Sequence, residues 1–96
     1  MSTDTKTVTL NVEDHNKKMS TQLWEIIIRD LDIFIGNTVQ DVKHHVKSTH
    51  KVTWTMEVLD TKVSYLWFNV TKYLKRYELK VEWVESDDNY DVRGVV

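Results

Sequence analysis

Six of the nine residues from Lys43 to Lys51 carry a cation or an imidazole: Lys43, His44, His45, Lys47, His50 and Lys51. Such a group can contact phosphate, because lysine brings a point charge and histidine a hydrogen-bond donor. Lys43, His44, Lys47 and Lys51 are therefore the candidate nucleic-acid contacts. The competing reading is a solvated helix end, where cations complement the negative pole of the helix dipole.

The imidazoles also raise metal binding. Two histidines on one helix face need a spacing of three or four. His44 and His45 are adjacent, which separates them by about 100° on a helix. His50 stands apart and His15 is remote, so no metal site is expected. The chain has no cysteine, which excludes thiolate ligands, disulfides and thiol nucleophiles.

Acid–base chemistry needs carboxylates or imidazoles gathered in a pocket. Asp30 and Asp32 flank Leu31 and point to different sides of a helix. Glu13 and Asp14 fall in a polar loop. Gly36-Asn37-Thr38 is too little for a phosphate loop. Asn69-Val70-Thr71 matches a glycosylation sequon, idle without a signal peptide. No catalytic residue and no cofactor is expected, and the chain does not read as an enzyme.

The elements that carry these residues follow from periodicity. Ninety-six residues make one small domain, 1–96, with 1–5 and 86–96 expected as flexible ends. The net charge of −2 sets aside a strongly basic nucleic-acid binder. No apolar run approaches the roughly 20 residues of a spanning helix. The polar start is not a secretory signal, so a cytoplasmic protein with no membrane partner is expected.

Lys6 to Val12 alternates with period two and reads as a strand. Ser20 is a good N-cap. Residues 23, 24, 27, 28, 31, 34 and 35 then form one apolar helical stripe, which Gly36 can end in the left-handed conformation. A shorter helix is expected from Asn37 or Thr38 to Lys47, with Val39, Val42 and Val46 on one side. Lys51 to Leu59 is a strand. Lys62 to Tyr77 fits a helix, although Lys62 to Phe68 also fits a strand. Glu78 to Glu85 is the last strand.

The order is β-α-(α)-β-α-β: an α+β or α/β two-layer sandwich with a three-stranded sheet and helices on one face. The strand reading of 62–68 would make four strands and a ferredoxin-like order. If the strands at 51–59 and 78–85 are neighbours, their crossover is right-handed. Trp24, Trp54, Trp67 and Trp83 each sit on a different element and are expected to meet in one core.

Four apolar residues fall off the stripes. Ile26 and Ile33 lie on the far side of the first helix, Tyr65 and Phe68 on the far side of the second, near Lys72 and Arg76. Either further helices cover them, or they form an interface edged by charge. The expectation is a non-enzymatic interaction domain that binds a partner protein or dimerises through Ile26, Ile33, Tyr65, Phe68, Lys72 and Arg76. Its general character suits a regulator or inhibitor, such as a viral accessory protein. Nucleic-acid binding at 43–51 is the alternative, and an enzyme with a site built only by the fold is the third.

Overall fold

Strand alternation and helical stripes resolve into one antiparallel sheet carrying two helices on a single face. A computed structural model describes residues 4–86 and 91–92. The elements are β1 (Thr5–Glu13), α1 (Thr21–Thr38), β2 (Asp41–Lys47), β3 (Lys51–Leu59), α2 (Val63–Leu74), β4 (Lys80–Ser86) and a two-residue β5 (Asp91–Val92). Single 3₁₀ turns flank α2 at Asp60–Lys62 and Lys75–Tyr77.

The strand order is β2-β3-β1-β4-β5, and every neighbouring pair is antiparallel. The four main strands and two helices thus follow the order β-α-β-β-α-β. This corrects the expectation in two places, the number of strands and the identity of the added one. The sheet has four main strands, not three. The added strand is β2, not residues 62–68, which are helical as first chosen. β3 and β4 are not neighbours, because β1 lies between them.

β2 replaces the short helix expected before Lys47, and the reason it misled is physical. Val39, Val42 and Val46 have helix-like spacing, but a bulge at Lys43 shifts the phase of the strand. Val42 is then half-buried beside the helices, while Val46 falls on the open face and is 63% exposed. β2 is also an edge strand with little to bury, so it has no clean alternation to read. A tight turn closes the hairpin: the Ser48 N–H donates to Lys51 O at 2.8 Å.

The core is the layer between sheet and helices. Val8, Leu10 and Val12 on β1 meet Val52, Trp54, Met56 and Val58 on β3, and Val81 and Trp83 on β4. From α1 come Trp24, Ile27, Ile28, Leu31 and Ile35; from α2 come Val63, Leu66, Val70 and Leu74. The tryptophans meet as expected. Trp24, Trp54 and Trp83 are buried, and half-buried Trp67 lies edge-on to Trp83 with ring centroids 5.2 Å apart.

Ser20 caps α1 by accepting the Leu23 N–H at 3.2 Å. Gly36 does not end this helix. It lies inside the last two turns, and the Val39 N–H closes the end on Ile35 O. A Cβ at Gly36 would meet nothing within 4 Å. Gly36→Ala is therefore expected to raise stability by roughly 0.5–1 kcal/mol through reduced freedom of the unfolded chain. Thermal unfolding of both forms checks this.

Of the expected loose ends, Thr5, Ser86 and Asp91–Val92 are in strands. Residues 1–3, 87–90 and 93–96 lie outside the described residues.

Candidate interaction surface

The second sheet face is uncovered and polar. Thr5, Thr7, Thr9 and Asn11 on β1 alternate with the core residues, as do Thr53, Thr55 and Glu57 on β3. Asn11 ties three strands together, donating to Glu82 Oε1 at 3.0 Å and accepting from Thr53 at 2.5 Å. Glu57 holds the middle: Lys43 lies 3.3 Å away and the Thr5 hydroxyl donates to it at 3.1 Å. These two donors, Lys43 foremost, hold its carboxyl below the usual range. Among the described residues this face carries no Phe, Tyr or Trp side chain, and the single imidazole of His44 on β2 makes no platform for successive bases.

The residues from Lys43 to Lys51 do not end a helix, so the dipole explanation for them fails. They occupy β2, the hairpin turn and the start of β3. The bulge and pleat scatter them. Lys43 pairs with Glu57 on the open face, while Lys47 turns toward α1 and pairs with Glu25 at 2.8 Å. His45 stacks flat on Trp54, with centroids 5.1 Å apart and planes 9° apart. Among the described residues no group of three His, Asp or Glu side chains converges as metal ligands.

The outward side of the helix layer is different. Tyr65 is 53%, Phe68 61% and Ile33 57% exposed. Tyr65 leans on half-buried Phe34, with centroids 6.1 Å apart, which joins α2 to α1. Lys62 lies over the Tyr65 ring and Lys72 over the Phe68 ring, at 5.6 and 5.9 Å. Arg76 sits over Tyr73 and Tyr77 rather than over Phe68. Ile26, 43% exposed, is not buried under further helices. It stands at the border of α1 with β2, beside Arg29, Asp32 and His45. The six expected interface residues therefore divide. Tyr65, Phe68 and Lys72 share the outer side of α2, Arg76 lies past its end over Tyr73 and Tyr77, Ile33 stands on the outer side of α1, and Ile26 borders the edge strand.

No family model, curated protein or solved structure matches this chain. No described helix is long and apolar enough to cross a membrane. The surfaces must be read from their own chemistry.

Three carboxylates that read as solvated charge have structural work. Asp14 is buried and holds the β1–α1 loop, accepting the Lys18 and Met19 N–H groups at 3.4 and 3.0 Å. It continues the phase of Val8, Leu10 and Val12, which was the signal in the sequence. Asp32 accepts the Trp54 indole N–H at 3.2 Å. Asp30 accepts the Tyr73 hydroxyl at 2.9 Å across the helix pair.

Burial, and then the Asp30 carboxylate, push the Tyr73 phenol well above its ordinary value. The unfolded chain ionises this phenol near pH ~10 while the folded chain holds it neutral. Its contribution is therefore complete below that pH and is lost as pH rises above it. Denaturant unfolding between about pH 9 and 11 is expected to show wild type losing more stability than Tyr73→Phe.

Proposed function

We propose that the chain is a non-enzymatic interaction domain of ferredoxin-like arrangement. It binds a partner protein, or a second copy of itself, through the outer side of the helix layer. One observation carries this reading: Ile33, Tyr65 and Phe68 stay more than half exposed, while Trp24, Ile27, Ile28, Leu31 and Ile35 of α1 and Val63, Leu66, Val70 and Leu74 of α2 pack inward. Tyrosine and phenylalanine rings present large area at small entropic cost. The β-α-β-β-α-β order supports the ferredoxin-like assignment. A regulator or inhibitor acting in the cytoplasm is the role such a domain suits.

The test is light scattering of wild type and of Tyr65→Ala with Phe68→Ala, alongside a pull-down with each. Wild type is expected to self-associate or recover a partner. The double variant is expected to lose at least about thirty-fold in affinity, the scale for truncating central aromatic anchors. Its thermal unfolding should change little, since both rings are largely exposed. Monomers for both forms, with nothing recovered, would overturn the reading.

Nucleic-acid binding through Lys43, His44, Lys47 and Lys51 has less support. Two of its three lysines are already tied to carboxylates.

A further inference from the structure

The sheet has one long free edge. β2 is hydrogen-bonded to β3 on one side and ends the sheet on the other. All of its residues except Val42 are exposed. The Ser48–Lys51 bond sets the alternation along the hairpin. Counting back from it, Val46 and His44 turn their backbone groups to β3, and Lys47 and His45 turn theirs outward.

Natural edges are usually guarded by lysines and bulges. Here both lysines are drawn back onto the domain. Lys43 reaches Glu57 on the open face, and Lys47 reaches Glu25 on α1. The bulge lies at Lys43, so His44 to Lys47 pair with β3 in regular register. Among the described residues, that leaves a regular stretch of edge with unpaired backbone groups.

The edge has an exposed apolar side chain on one face and a trough of mixed character on the other. On one face stands Val46, 63% exposed. On the other runs a trough between α1 and β2 of about 350 Å³, where Ile26 and Ile28 stand among Glu25, Arg29, Asp32, His45 and Lys47. A second cavity of about 380 Å³ continues it past Trp24 to His50, sharing Glu25 and Lys47. Among the described residues Arg29 makes no ion pair or hydrogen bond, so its guanidinium donors are open to a ligand, although Asp32 balances its charge within the trough.

We propose that the β2 edge receives an extended strand from another protein. That strand places an apolar side chain against Val46 on one face. On the other it lays apolar and acidic side chains into the α1–β2 trough, with a carboxylate on Arg29. Backbone pairing gives the affinity, and the trough and Arg29 choose the sequence. The surface is distinct from the outer side of α2.

The test is selection of a displayed library of random peptides against the full chain. Enriched peptides are then titrated against wild type, Arg29→Glu, Lys47→Pro, Lys47→Ala, and Tyr65→Ala with Phe68→Ala. Lys47→Pro removes one outward N–H, and Lys47→Ala controls for the lost side chain. Enriched peptides are expected to alternate apolar residues with an acid. Arg29→Glu and Lys47→Pro are each expected to weaken them about ten-fold or more. The aromatic double variant should bind as wild type does, and Lys47→Ala, which removes the side chain but keeps the outward N–H, should weaken binding less than Lys47→Pro. Exchange of the His45 and Lys47 amides should slow in the complex. Arg29→Glu keeps the test valid if the proline variant fails to fold. No enrichment, or enriched peptides sensitive only to the aromatic pair, would overturn the proposal. So would a dimer of the chain alone that Lys47→Pro breaks and no peptide displaces, which would make the occupant a second copy.

Discussion

Trp54→Ala is expected to cost about 3–5 kcal/mol, the range for deleting a fully buried indole. That is a large share of the roughly 5–15 kcal/mol that holds a domain of this kind together. Trp54 has no solvent exposure and lies at the middle of β3, opposite Leu10 on β1 and His45 on β2. Its ring carries the His45 imidazole and its N–H reaches Asp32 on α1. One side chain thus joins the sheet centre, the edge strand and the long helix. Trp54→Phe keeps most of the packing and loses the bond to Asp32, which is solvent-exposed and can turn to water. Its cost should be nearer 1–2 kcal/mol. Urea unfolding followed by circular dichroism measures both. A Trp54→Ala cost below about 1 kcal/mol would show that the core is not anchored there. Amide exchange should place the first loosening in β2, since His45 loses its platform.

Asp14→Ala is expected to cost about 1–3 kcal/mol and to act on a different part of the chain. The substitution removes little volume. It leaves the Lys18 and Met19 N–H groups without their acceptor, just before the N-cap of α1. The loop has no slack to compensate, because Lys17 already holds a left-handed backbone with φ of 54°. Asp14→Asn keeps one acceptor oxygen and should lose less. Hydrogen exchange at Lys18 and Met19 should quicken in the alanine variant far more than exchange at the centre of β3. Uniform quickening across the sheet would mean that Asp14 acts on the whole fold rather than on the helix entry.

Much of the fold was legible wherever a face is buried. Val8, Leu10 and Val12, and Val52, Trp54, Met56 and Val58, alternate because one sheet face is covered and the other is wet. The α1 and α2 stripes are legible for the same reason at helical period. The N-cap Ser20 has a local cause, a hydroxyl beside an orphan N–H. β2 was not legible, because an exposed edge writes no hydrophobic pattern and its bulge breaks what alternation remains. Gly36 was misread because glycine permits a helix end without requiring one. The helix runs two residues past it, and Val39, packed against the core, closes the end with its N–H on Ile35 O.

The candidate surfaces divide in the same way. The sequence by itself determined that Ile26, Ile33, Tyr65 and Phe68 lie off the apolar stripes, because helical period fixes which side chains oppose the buried face. It also determined which sheet face holds the tryptophans. What those outward residues stand beside depends on how the chain packs. Packing separates Ile26 from Tyr65 and Phe68, and it converts a supposed basic helix end into a free sheet edge. It gives Asp14, Asp30 and Asp32 their partners. The physical reason is range. Period and capping act within one turn or one pleat, whereas strand pairing joins residues such as Asn11 and Glu82, whose positions in the chain say nothing of their distance in space.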